Sequence, residues 1–175
     1  MKTFKPLLLA AVLAASATLA IAASPAAPAS PDLVTSQFLH ALNSGTGPAI
    51  NTLTPAQARQ VLVDAQNSVK VDLSGIDVSN KTIEQDGITV PITIVRPQGA
   101  TGTLPVFMFF HGGGWTLGDF QTHERLVREL VVQSGAVAVF VNYTPSPEAR
   151  YPVAINQAYA ATKSYFPQVA DRIWA

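Results

Sequence analysis

The spacing of apolar positions divides the chain into segments of different period. Pro31 to Asn43 and Thr54 to Ser68 place apolar residues three and four apart and predict two helices. The second has a strong start signal, with Thr54 at the N-cap, Pro55 at N1 and Gln57 at N3, the residues of a capping box. Ala58, Val61, Leu62 and Ala65 form its expected apolar stripe. From Ile76 the period becomes two. Ile76 to Glu84 and Ile88 to Val95 read as strands, and Gln85-Asp86-Gly87 between them as a hairpin turn. Pro91 predicts that the second strand lies at a sheet edge or carries a bulge, because proline cannot donate to a ladder.

Val106 to Phe110 has no alternation at all, the pattern of a strand in a parallel sheet covered on both faces. A glycine-rich turn follows, His111 to Gly118, then a helix from about Thr122 to Ser134 with His123, Leu126, Val127, Leu130 and Val131 on one face. Gly135 stands where a helix-terminating glycine belongs. Ala136 to Val141 is a further apolar strand. After the Pro-rich loop Thr144 to Arg150, a last helix runs from Pro152 to Tyr165 with Ala154, Ala158, Ala161 and Tyr165 on one side. A hairpin followed by β-α-β-α is an α/β sheet.

Composition narrows the functional classes. Eleven Lys and Arg balance eleven Asp and Glu, so no basic surface invites nucleic acid. With no cysteine, disulfide scaffolds, thiolate nucleophiles and Cys-ligated zinc are excluded. The first 22 residues read as an export leader: Lys2 and Lys5, then the apolar run Leu7 to Ala14, then the small-x-small site Ala20-Ile21-Ala22, with Ala27-Pro28-Ala29 as a second possible site. The run is short for a membrane span and meets Ser24-Pro25, so no stable span is expected after cleavage. Loss of that leader takes the net charge from zero to −2 and implies a secreted or periplasmic protein. The expected organisation is a leader over residues 1–22, a Pro/Ala-rich stretch with the first helix over 23–53, and an α/β domain over 54–175.

Chemistry concentrates in His111-Gly112-Gly113-Gly114-Trp115, between a buried strand and a helix. Three glycines leave no side chain between the backbone N–H groups and a ligand at the strand's carboxyl end. Such a loop can aim two donors at one oxygen, as an oxyanion hole requires, and one such donor contributes roughly 3–4 kcal/mol of transition-state stabilisation. Taken alone, the same glycines also suit a tight strand-to-helix turn with no ligand.

The segment His111 to Gly118, the apolar strand before it and the Arg/Leu-rich helix after it resemble the HGGG region of the hormone-sensitive-lipase-like α/β-hydrolases, which include bacterial carboxylesterases. Val141-Asn142-Tyr143 and Pro147-Glu148-Ala149-Arg150-Tyr151-Pro152 resemble that family's next strand end and Pro-rich loop. The resemblance implies the N-terminal half of an α/β-hydrolase: cap helices, an antiparallel hairpin, then the first parallel strands. It implies that Gly112 and Gly113 donate to the oxyanion, that His111 braces the loop, and that Gly114 and Trp115 line the substrate pocket. The implied activity is hydrolysis of small-molecule carboxylic esters by a serine nucleophile, with no cofactor and no metal.

The chain departs from the family's pattern in one respect. In that fold a G-x-S-x-G serine, an acid and a histidine follow the oxyanion loop. The 175 residues contain no G-x-S-x-G, and their last histidine is His123. The expectation is therefore an inactive fragment that stops before the nucleophile strand, with Val106 to Phe110 left as an apolar edge prone to aggregation. The alternative is a non-catalytic binding module derived from the same fold. Two further readings are weaker. The glycines loosely resemble a dinucleotide fingerprint, but Asn142 stands where a ribose-binding acid would be, and the helix is expected to start late. His111, Asp119 and His123 are more simply a loop histidine, a helix-start acid and a helix-face histidine than metal ligands.

Overall fold

The computed structural model describes residues 30–45 and 47–166. The leader (1–22) and the final residues from Ala170 to Ala175 lie outside the described residues. The chain divides into two units, one ending at Gly47 and one beginning at Pro48. The first contains helix α1, Leu33–Asn43, whose N-cap Asp32 accepts from the Val34 and Thr35 amides. Among the described residues no helix is long and apolar enough to cross a membrane.

In the second unit a short 3₁₀ turn, Ile50–Thr52, precedes α2, Pro55–Asn67. The capping box at α2 forms: Thr54 accepts from the Gln57 amide while Gln57 Oε1 accepts from the Thr54 amide at 3.0 Å. Then come β1 (Ile76–Gln85), β2 (Ile88–Pro97), β3 (Val106–Phe109), α3 (Phe120–Ser134), β4 (Val137–Val141) and α4 (Val153–Tyr165). The sheet order is β1-β2-β4-β3; β1 and β4 flank β2 antiparallel, and β3 runs parallel to β4. Gln85 pairs with Ile88 across Asp86 and Gly87, whose φ values of 54° and 76° make the two-residue turn that suits a right-twisted hairpin.

The two helices α3 and α4 cover opposite faces of the sheet, so β4 is buried at all five positions. Val139 and Val141 pack with Ile83, Val90, Ile92, Ala160 and Ala161 beneath α4. Ala138 and Phe140 pack with Val95, Val127 and Val131 beneath α3. This two-sided cover is the physical reason β3 and β4 lack alternation: Val106 and Met108 join the α4 cluster, and Phe107 and Phe109 the α3 cluster. β3 is nonetheless only half-buried, because among the described residues it forms the outer edge of the sheet.

Several expectations are corrected. β2 is an interior strand, not an edge, and it carries no bulge between Ile76↔Pro97 and Gln85↔Ile88. Pro91 is tolerated because it lies one residue beyond the β2–β4 ladder, which begins at Ile92↔Val141. Its carbonyl accepts from the Asn142 amide at 3.0 Å, and the missing N–H falls at the ladder's end. Helix α3 begins at Phe120, capped by Asp119, two residues before the expected start. Of its predicted face only Val127 and Val131 are buried, while Leu126 is 50% and Leu130 40% exposed. On α2, Ala58 is buried but Val61 is exposed; on α4, Ala154, Ala161 and Tyr165 of the expected face pack against the core, joined by buried Gln157 and Ala160.

Phe140, fully buried between the sheet and α3, is the largest of the side chains that lose all contact with water. Truncation by Phe140→Ala is expected to cost about 3–5 kcal/mol. Urea titration of the two chains checks this, and a loss below about 1 kcal/mol would contradict the central role given to this ring.

Candidate functional site

The loop at the carboxyl end of β3 is built from its glycines outward. At Gly113 φ is 118°, and a Cβ there would lie 2.1 Å from the Leu117 carbonyl oxygen. The close approach exists because the Gly113 carbonyl accepts from both the Thr116 amide, at 3.2 Å, and the Leu117 amide, at 2.9 Å. Gly118 is also confined, less severely: a Cβ would meet His111 Nδ1 at 2.9 Å and His123 Cε1 at 3.0 Å. Around Gly112 and Gly114 there is open space. Among the described residues the Gly112 and Gly113 N–H groups donate no hydrogen bond, and both residues are exposed.

His111 is buried and held on every side. Its ring stacks between Tyr143, at 4.3 Å and 8°, and Phe140, at 5.4 Å and 3°. Nδ1 lies 2.8 Å from the Gly112 carbonyl, which can only accept, so the Nδ1–H tautomer is the one that bonds. Tyr143 Oη donates to the His111 carbonyl at 2.7 Å. Burial holds the imidazole below its ordinary pKa; His123 pushes the same way, against the Gly112 hydrogen bond and Asp119. The lowered pKa favours the neutral ring, and its Nδ1 hydrogen bond goes to the loop backbone.

Trp115 has φ 57° and is 59% exposed. A bulky residue with positive φ needs outside support. Its carbonyl accepts from the Ser146 amide at 2.6 Å. Beside it, the Thr116 carbonyl accepts from Arg59 Nε of α2 at 2.7 Å. Arg59 Nη2 also donates to the Ser146 carbonyl at 2.8 Å, and the guanidinium grips Glu148 at 2.6 and 2.8 Å. That hydrogen-bonded pairing lowers the Glu148 carboxyl to about 2. Buried Gln157 fixes the start of the Pro-rich loop, accepting from the Thr144 amide at 2.7 Å and donating to the Thr89 carbonyl at 3.2 Å.

Two concavities adjoin the loop. One of about 260 Å³ is lined by Phe110, His111, Gly112, Tyr143 and Ala158; the other, of about 400 Å³, by Thr144, Ala149, Arg150 and Tyr151. Gly114, Trp115, Ala154 and Ile155 line both. The loop residues singled out in the sequence, His111 to Trp115, therefore stand together at one site. Arg59 and Gln157 were not legible as part of it, and Glu148 stood out only within the Pro-rich loop; its pairing with Arg59, 89 residues away, leaves no local signal.

The other candidate ligands have structural occupations. The Asp119 carboxylate accepts from the Thr122 amide at 2.8 Å as the cap of α3, and His123 Nδ1 lies 2.9 Å from the Asp119 carbonyl. The Asn142 amide donates to Thr93 Oγ1 at 3.0 Å, which in turn donates to Asn80 at 2.9 Å.

Two outcomes follow from this geometry. Gly113→Ala is expected to lose about 3 kcal/mol or more, since its Cβ collides with fixed backbone. Gly114→Ala, in open space with φ 63°, should lose about 1–2 kcal/mol. Equal losses in chemical denaturation would contradict the close approach at Gly113. The His111 pKa is lowered by folding, so the unfolded chain takes up this proton first. Stability is full above the ordinary histidine range and is lost as pH falls through it. Melting at pH 7.5 and pH 5 should show this loss, and His111→Phe should shrink the difference.

Comparison with known proteins agrees with this architecture. A family model described as the alpha/beta hydrolase fold matches residues 107–173. The carboxylesterase NlhH of Mycobacterium tuberculosis is 35% identical over 92 residues, which cover 52% of this chain and 29% of that protein. A thermostable esterase from Pseudomonas putida superposes with a TM-score of 0.76 at 56% identity, covering 82% of this chain and 46% of the esterase. A fungal esterase of Rhizomucor miehei superposes with a TM-score of 0.68 at 36% identity, covering 78% of this chain and 45% of that one. The chain thus spans about a third or less of the curated relatives it matches and just under half of these solved structures. The hairpin and the parallel β3-α3-β4 unit are those of the α/β-hydrolase fold, and over the part it spans the chain is similar to these esterases.

Proposed function

We propose that this chain supplies the oxyanion-binding part of a serine hydrolase acting on small carboxylic esters. The observation that carries the reading is the pair of N–H groups on Gly112 and Gly113. Both are exposed and without an acceptor among the described residues, at the carboxyl end of a parallel strand and beside an apolar concavity. As a serine hydroxyl adds to an ester carbonyl, negative charge grows on the carbonyl oxygen. Donors already fixed at that point stabilise the charge without reorganising. His111 has no part in proton transfer in this scheme; it holds the Gly112 carbonyl, and with it the orientation of the Gly112–Gly113 peptide. Gly114 and Trp115 border the space for the acyl and alcohol groups.

The nucleophile, its base and its acid are not among the 175 residues, which hold no G-x-S-x-G and no histidine after His123. This chain alone is accordingly proposed to be inactive. The relatives' names support an ester substrate, and the first 22 residues support export to the periplasm or medium.

The 175-residue chain should hydrolyse p-nitrophenyl acetate no faster than buffer does. Joined after Phe166 to the remaining half of the Pseudomonas putida esterase, it should acquire turnover, and Gly113→Ala in that chimera should remove about 100-fold or more of it. A chimera that melts cooperatively yet shows no turnover sinks the proposal.

A further inference from the structure

Arg59 is the one side chain among the described residues that bonds both the glycine-loop segment and the Pro-rich loop. Four donor contacts of one planar guanidinium are used: Nε to the Thr116 carbonyl, Nη2 to the Ser146 carbonyl, and a forked pair to Glu148. The side chain is 27% exposed, so this network is partly shielded from water. The Ser146 amide closes the ring by donating to the Trp115 carbonyl at 2.6 Å. Trp115 and Thr116 are therefore held at consecutive carbonyls, one by a backbone amide and one by a guanidinium.

What this clamp holds in place matters for the neighbouring glycines. The Thr116 and Leu117 amides both bind the Gly113 carbonyl, so the position of the 116–117 peptides fixes the Gly113–Gly114 peptide plane. Trp115, with φ 57°, is the link that would otherwise relax to a commoner conformation. Released at Thr116, the loop loses its only side-chain tie to α2 among the described residues. Lysine could keep an ion pair with Glu148, but it cannot span two carbonyls and a carboxylate with a rigid fork.

We propose that Arg59 is a positioning residue: by clamping the Thr116 carbonyl to the Pro-rich loop, it fixes the Gly113–Gly114 peptide and so anchors the C-terminal end of the backbone that carries the Gly112 and Gly113 N–H groups. This rests on the oxyanion reading above. Arg59 touches none of the reacting atoms in that reading. Its effect therefore belongs to the transition state, where donor direction counts, rather than to substrate binding.

Hydrogen exchange on the full chain tests the clamp without needing turnover. In Arg59→Met, exchange of the Thr116 and Leu117 amides, the bonded ones of the loop, should quicken about tenfold or more while β4 changes less than about threefold. Arg59→Lys, which keeps the charge, should quicken the same segment, and it serves if the methionine variant fails to fold. Lys163→Met, which breaks the exposed pair with Asp86, should leave the loop unchanged. Unchanged loop exchange in both Arg59 variants, or equal quickening of loop and β4, overturns the proposal. In the active chimera, Arg59→Lys should lower kcat about tenfold with KM within about twofold. A rise in KM at constant kcat would also overturn it. An inactive but folded wild-type chimera would remove the oxyanion reading and leave the exchange result to decide the clamp alone.

Discussion

Burial of β4 on both faces is the constraint on which the rest of the structure depends. A strand covered by helices on two sides must be apolar at every position, and Val137 to Val141 is. Its side chains define the two core clusters, Val139 and Val141 toward α4, Ala138 and Phe140 toward α3. Because β3 is parallel to β4, both strands end on the same side of the sheet. The residues that follow them, His111 after β3 and Tyr143 after β4, meet there at a ring separation of 4.3 Å. Close-packed interiors transmit such placement without slack.

Phe140 joins the core to the site. It stacks with Phe109 at 5.4 Å, meets Phe120 edge-on, and presents a face to His111. The histidine is thus positioned by an aromatic column and by hydrogen bonds together. Burial lowers its pKa and so favours the neutral ring, whose Nδ1 bonds the Gly112 carbonyl. From the outer side the loop is held by a different kind of force, the charge-assisted bonds of Arg59, whose carboxylate partner stays ionised over any ordinary pH because the pairing lowers it to about 2.

Much of this was readable before any coordinates. The capping box of α2, the Asp-Gly hairpin and the uniform apolar strands are local signals, and each formed where expected within two residues. The errors share a cause. The tolerance of Pro91 depends on where the β4 ladder ends, a long-range fact that its own chemistry does not carry. Leu126, Leu130 and Val61 obey helical period but remain exposed among the described residues, since period says which residues share a face and not what covers it.

The sequence by itself determined the fold class and the loop. Period-two and uniform apolar runs specify strands with one or two covered faces, and three successive glycines after such a strand mark a turn of bare backbone. Tertiary structure alone decided how that backbone is held. Arg59 has no neighbouring residue types that would announce it, because its partners lie 57 to 89 residues away and are in part backbone carbonyls. A carbonyl belongs to every residue, so no pattern of side chains records which one an arginine will find.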